Sequence, residues 1–343
     1  MSASLRVLLA GVGRAGLVHG RNLAAGVPGA RLAAIADPAP EARAGAIAEL
    51  GCELAFVDPV EAAGDERIDA VVIAGPTFTH AEVAVAALQA GKHVLCEKPI
   101  ASTLGEAQGI SRSVESADAT FSMVFMRRFD RRFMRVAERV AAGDIGEPVL
   151  VRSSGRGPGL PSEWVWDVNR SGGLAAEVNS HDLDTLRWMS GQEFVSAHAL
   201  GRAAKRPDIA DRYPGFVDVL VGSFELSRGG LGQIDGAYPA GYGYDARVEV
   251  YGTEGTVLVG GPVQDSAVVV RSDGATSDPV RSWRELFADA YRAELVHFVS
   301  VARGEAEPAS GVEDGERALE AVVAINRSMS EGRTVAVSEV GDR

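Results

Sequence analysis

Two short stretches of this 343-residue chain carry side chains able to move a proton or meet a developing charge. The first is Glu97-Lys98-Pro99, directly after the apolar run His93-Val94-Leu95-Cys96. Open α/β sheets bind ligands at the carboxyl ends of their strands, where a lysine can hold a substrate oxygen and stabilise alkoxide charge. Pro99 keeps Lys98 in extended geometry, and Glu97 is placed to reach ribose hydroxyls. An exposed Lys–Glu pair is the plainer alternative. The second stretch is Gly172-Gly173-Leu174-Ala175-Ala176-Glu177-Val178-Asn179-Ser180-His181-Asp182-Leu183-Asp184. As one helix, it puts Glu177, His181 and Asp184 at i, i+4 and i+7 on a shared face. Histidine exchanges its proton near neutral pH, and a carboxylate one turn away orients it or binds a hydroxyl beside the reacting carbon. The alternative is a histidine flanked by acids on a solvated face. One histidine with scattered carboxylates gives no zinc spacing, so no metal is expected.

What these groups would act beside is indicated near the N-terminus. The apolar run Val7-Leu8-Leu9-Ala10 passes straight into Gly11-Val12-Gly13-Arg14-Ala15-Gly16, and a helical pattern follows. A second apolar run, Leu32 to Ala36, ends in Asp37, about twenty residues beyond Gly16, the spacing of a dinucleotide-binding βαβ unit. Gly11 permits the tight turn, Gly13 lets the backbone approach a pyrophosphate, and Gly16 lets the helix pack closely. The helix N-terminus offers N–H groups to the phosphates, with Val12, Arg14 and Ala15 completing the loop. Asp37 accepts hydrogen bonds from ribose hydroxyls and repels a 2′-phosphate, and Pro38-Ala39-Pro40 offers no arginine. NAD is therefore expected, with Arg43 leaving NADP open. In Gly75-Pro76-Thr77-Phe78-Thr79-His80, Pro76 and Thr77 line the nicotinamide end and Thr79 is a natural N-cap. His80 is grouped with the cofactor-facing residues, although a histidine at a helix start is more often structural. Tyr242 of Tyr242-Gly243-Tyr244-Asp245 is read as a donor to a sugar-like substrate, with buried sheet aromatics as the equal alternative. His19, His93, His198 and His297 have no partner that singles them out and read as structural.

The elements that must position these residues change character along the chain. Apolar runs at 70–74, 93–96 and 120–125 alternate with helical stretches at 40–50 and 79–90, which predicts a doubly wound parallel sheet. After a helix to about 142, alternating runs at 216–226, 232–237, 247–251 and 256–259 predict an α+β domain with a large, mostly antiparallel open sheet. Helices at 283–303 and 315–330 close the chain. The expected domains are 1–125 and 126–343. A net charge of −13 disfavours nucleic acid and anionic membrane as partners. Two cysteines, Cys52 and Cys96, form no disulfide framework. No run approaches transmembrane length, and no signal-peptide pattern precedes the first strand, so a cytoplasmic location is expected.

Together these residues resemble the Gfo/Idh/MocA family of NAD(P)-dependent oxidoreductases over essentially the whole chain, including the segment Ala293-Glu294-Leu295-Val296-His297-Phe298. Met126-Arg127-Arg128-Phe129-Asp130 and Tyr242-Gly243-Tyr244-Asp245 are further similar to its inositol 2-dehydrogenase branch. The resemblance implies an N-terminal Rossmann domain and a C-terminal α/β domain whose open sheet mediates assembly into a homodimer or homotetramer. It implies a catalytic lysine at Lys98, an acid at Glu177 and a histidine acid/base at His181, with Arg127, Asp184 and Tyr242 as further substrate contacts. Inositol dehydrogenases usually carry Asp where this chain has Glu177, so the polyol itself stays open. The expected reaction is reversible oxidation of a secondary hydroxyl on a cyclic polyol or sugar. NAD-assisted glycoside cleavage, with Glu177 or Asp184 as acid, uses the same site. A non-catalytic dinucleotide-binding sensor is the third reading, and intact Lys98 and His181 argue against it.

Overall fold

The computed structural model describes residues 4–261 and 268–341, which fall into two units. The first runs through Phe129 and takes back Asp289–Glu316; the second comprises Asp130–Ala288 and the chain from Arg317. The sequence suggests one cut, between 125 and 126. The later segment returns to the first unit because it is bonded there. Met123 N–H donates to the Ser310 carbonyl at 3.0 Å, and Ser310 Oγ donates back to the Met123 carbonyl at 2.8 Å.

In the first unit, strands β1 (Leu5–Ala10), β2 (Ala30–Ala36), β3 (Ala55–Phe56), β4 (Ala70–Ile73), β5 (His93–Cys96) and β6 (Phe121–Met123) form one parallel sheet in the order β3-β2-β1-β4-β5-β6. Every residue of β4 is buried, as a strand covered on both faces requires. Strand order reverses between β1 and β4, the switch point where such sheets bind ligands. The register sets Ala10 beside Ile73 and Ile73 beside Cys96. The loops beginning at Gly11, Ala74 and Glu97 therefore emerge side by side along the carboxyl edge. The helix Leu104–Ser116 is held at its start by a capping box between Thr103 and Glu106. Thr79 stands at the N-cap position expected of it, but its side chain does not cap the helix. Its Oγ donates to the Pro76 carbonyl at 2.8 Å within a 3₁₀ turn, and the next helix starts at His80.

In the second unit, β7 (Pro148–Arg156), β8 (Phe194–Arg202), β9 (Val219–Leu226), β10 (Leu231–Ala237), β11 (Asp245–Gly252) and β12 (Thr256–Gly260) form an open sheet. A hairpin, β13 (Val268–Arg271) with β14 (Gly274–Ser277), stands apart, and β15 (Val335–Ala336) adds a sheet edge. The order is β12-β11-β7-β10-β9-β8-β15, antiparallel throughout except for β7 with β10. The mostly antiparallel open sheet expected from the sequence is present.

Two long helices expected from the sequence are broken. The 283–303 helix is interrupted at Phe287, giving Trp283–Leu286 and Ala288–Ala302. The stretch bearing Glu177 and His181 is also two helices, Gly173–Glu177 and Ser180–Ser190, separated by a turn at Val178 and Asn179. Glu177, His181 and Asp184 thus do not share one continuous helical face. The cause is the Asn179 amide, whose Nδ2 donates to Asp182 Oδ2 at 2.8 Å and to the Asp235 carbonyl at 3.1 Å. Those contacts turn the chain onto β10 before the second helix begins.

Candidate functional site

The loop after β1 has the form of a phosphate cradle. Gly11 has φ +96°, and a Cβ there would strike the backbone of Gly75. A Cβ on Gly16, where the helix Gly16–Gly26 begins, would strike the Gly11 carbonyl. Around Gly13 nothing lies within 4 Å of an added Cβ, and Gly13 and Arg14 are exposed. That open side, at a helix N-terminus, fits a pyrophosphate. Asp37 completes the cradle at the tip of β2. Its Oδ2 accepts the Val12 N–H at 2.9 Å and its Oδ1 the Ala39 N–H at 2.9 Å. An ionised carboxylate offers about four lone-pair sites, so each oxygen keeps one for a ribose hydroxyl. Arg43 donates to the Asp37 carbonyl at 2.6 Å, which brings a guanidinium beside the same position.

Along the same edge, Thr77 is buried in the loop after β4 and Lys98 is half-buried after β5. The Glu97 carboxylate is engaged on both oxygens. Oε1 lies 3.0 Å from His19 Nε2, and Oε2 accepts the Lys98 N–H at 3.2 Å. His19 is therefore not a histidine without a partner, as the sequence suggested. Its signal was its place on the face of the helix shared with Gly16, Gly20 and Leu23, where a buried ring must find a polar group. His80 is corrected as well. Its Nδ1 lies 2.8 Å from the Pro99 carbonyl and its Nε2 3.0 Å from the Gly75 carbonyl, which leaves neither nitrogen for a cofactor. Burial pushes this imidazole below its ordinary pKa, against the pull of both carbonyls. Arg127 is buried in the 3₁₀ turn Met126–Phe129.

In the second unit the histidine-bearing helix Ser180–Ser190 lies against the buried face of the sheet. Two glycines make the seat. Gly155 on β7 and Gly236 on β10 are directly paired, and a Cβ on either would collide with Asp182 or Asn179 respectively. Ser153 Oγ donates to Asp182 Oδ1 at 2.6 Å, fixing the helix one residue beyond His181. His181, Asp182 and Asp184 are all buried, while Glu177 is half-buried. Tyr242 donates to Asp245 Oδ2 at 2.8 Å, and Asp245 is also gripped by Arg247 at 2.7 and 2.8 Å. With its single proton engaged, Tyr242 can only accept from a substrate, not donate as expected. Tyr238 escaped the sequence reading altogether. It is buried, its hydroxyl has no hydrogen-bond partner among the described residues, and burial and then the Glu177 charge push its pKa up.

Residues 5–125 match the family described as an oxidoreductase family with an NAD-binding Rossmann fold, and residues 137–337 match that family's C-terminal alpha/beta domain. The chain belongs to the Gfo/Idh/MocA oxidoreductase family. As a Gfo/Idh/MocA oxidoreductase it is an enzyme with NAD as cofactor, and the cradle around Gly13 and Asp37 fits that dinucleotide. A scyllo-inositol 2-dehydrogenase (NAD(+)) of Bacillus subtilis strain 168 is 33% identical over 336 residues, 98% of this chain and 97% of its own. An inositol 2-dehydrogenase of Rhizobium meliloti strain 1021 is 34% identical over 98% of this chain and all of its own. The crystal structure of scyllo-inositol dehydrogenase from Lactobacillus casei, with bound NAD(H) and scyllo-inositol, superposes with a TM-score of 0.89. It is 27% identical and covers 98% of this chain and 99% of that one. No helix among the described residues is long and apolar enough to cross a membrane, and none of them form a group of metal ligands.

Proposed function

We propose that this oxidoreductase reversibly oxidises a secondary hydroxyl of an inositol-like cyclic polyol. The observation that carries this reading is the correspondence with inositol 2-dehydrogenases over at least 97% of both lengths. The phosphate loop from Gly11 through Gly16 would hold the pyrophosphate, Asp37 the adenosine ribose, and Pro76, Thr77 and Glu97 the nicotinamide end. Bound there, NAD would supply the hydride acceptor. His181 accepts the hydroxyl proton as the carbon–oxygen double bond forms, and in the reverse direction returns it. Lys98 meets the negative charge that develops on the oxygen. Glu177 positions a neighbouring hydroxyl, and Arg127, Asp184 and Tyr242 make further contacts. The chain self-associates through the open face of its second sheet.

The test is NADH absorbance over a panel of inositol isomers, hexoses and glycosides. Turnover is expected with at least one inositol. General acid–base catalysis contributes about 10²–10⁴-fold, so His181→Ala and Lys98→Ala each lower kcat by at least ~10²-fold with the fold intact. Near-wild-type turnover in either variant removes that residue's role. Glycoside cleavage without net NADH removes the dehydrogenase reading.

A further inference from the structure

Two buried histidines, on different helices of the first unit, close on the Glu97-Lys98-Pro99 segment. His19, fully buried on the Gly16–Gly26 helix, stands 3.0 Å from Glu97 Oε1, and the other carboxylate oxygen accepts the Lys98 N–H at 3.2 Å. An ionised carboxylate only accepts, so the His19 ring donates from Nε2. His80, 1% exposed at the start of the His80–Gln89 helix, faces the Pro99 carbonyl with Nδ1 at 2.8 Å and the Gly75 carbonyl with Nε2 at 3.0 Å. The backbone on which Lys98 stands is thus tied through its own amide on one side and through the next residue's carbonyl on the other.

We propose that His19 and His80 are positioning residues for Lys98, clamping its backbone through the Glu97 carboxylate and the Pro99 carbonyl so that its ammonium meets the alkoxide. This rests on the reading of Lys98 as the alkoxide-stabilising group. Neither histidine acts on the substrate. Lysine has a flexible four-carbon stem, so where its charge arrives depends on how firmly its Cα is held. A displacement near 1 Å by a change away from the chemistry costs up to ~10²-fold in rate. Burial favours the neutral His80 ring, which has one N–H for two carbonyls. The shorter contact puts that proton on Nδ1, toward Pro99.

The test uses the full chain with NAD and myo- or scyllo-inositol, and reads kcat beside KM for NAD. Glutamine places a donor where histidine has Nε2, and asparagine one where it has Nδ1. His19→Gln and His80→Asn are expected to keep most of the turnover. His19→Leu and His80→Gln are expected to lose about 10- to 100-fold in kcat, with KM for NAD little changed in His80→Gln, which leaves the Glu97 carboxylate in place. In the Lys98→Ala background the same two changes are expected to cost nothing further, because residues acting through one group are not additive. Losses that multiply in the double variants, or equal behaviour of Asn and Gln at position 80, overturn the clamp. Should His19→Leu not fold, the Asn/Gln comparison at position 80 and its double variants carry the test alone. Full turnover in Lys98→Ala itself instead overturns the role of Lys98, a distinct result from failure of the clamp.

Discussion

Asp37 shows how one side chain serves the fold and, in the proposed function, the choice of cofactor. Its oxygens each take a backbone N–H, from Val12 in the phosphate loop and from Ala39 beyond β2. That fixes the carboxylate at the tip of β2, where the proposed function would bring the ribose hydroxyls of a dinucleotide. A 2′-phosphate would face this negative charge at close range, and Arg43, bonded at the Asp37 carbonyl, offers only a partial offset. Asp37→Ala removes the acceptor and the repulsion together. A hydrogen bond to a charged group is worth about 1.5–3 kcal/mol, so loss of even one should raise KM for NAD by at least ~10-fold. The preference for NAD over NADP should fall with it. Steady-state kinetics with both cofactors check this, and an unchanged preference would assign discrimination elsewhere. Asp37 was legible in the sequence because the βαβ spacing sets an acid at the strand tip. The His19–Glu97 contact was not, since 78 residues separate the partners and neither neighbourhood signals the other.

At the scale of elements, the helix that carries His181 is located by what the sheet lacks. Gly155 and Gly236 sit in adjacent strands on the buried face, and the absence of a Cβ at each lets Asp182 and Asn179 reach the strands. A buried carboxylate there must be satisfied, and Ser153 and Asn179 do so at 2.6 and 2.8 Å. Ser153→Ala takes away one donor while leaving the charge buried, which should destabilise the protein by about 1–3 kcal/mol. Urea unfolding reads that loss, and KM for NAD should not move, because the cofactor loops belong to the other unit. A loss below ~0.5 kcal/mol would mean that the helix is held by packing alone. The break at Val178 and Asn179 escaped sequence reasoning for the same reason. The helical spacing of Glu177, His181 and Asp184 was sound locally, but the contacts that turn the chain come from Asp182 and from β10, 56 residues away. The parallel sheet was readable because its strands are short apolar runs at βαβ spacing. β3 was not, since two residues carry no periodicity.

For the whole molecule, the open sheet leaves one face to be accounted for. Ladder register puts Leu200 opposite Val221, and Leu150 between Leu231 and Tyr251, all on the side away from the histidine-bearing helix. Leu200, Val221, Leu231, Tyr251 and, beyond them on β12, Leu258 are exposed. The opposite face of the same strands holds Phe224, Ile234, Val151 and Val250, all buried. Alternation of this kind gives a polar outer face when water covers it. Here apolar side chains recur on the outer face in strand after strand, interrupted by pairs such as Arg152–Glu249 at 3.3 Å. An outer face that exposes an apolar side chain in strand after strand, with charged pairs among them, has the composition of a protein interface rather than of a solvated sheet. The chain should therefore elute as a homodimer or homotetramer, with mass read by light scattering on a sizing column. Leu231→Lys combined with Tyr251→Lys sets two like charges on that face, on either side of Leu150 and between partners that would have to desolvate them. The double variant should shift toward monomer while NAD binding in the first unit persists. A monomeric wild type, or an assembly indifferent to both lysines, would place the interface on another surface and leave this one open to a different partner.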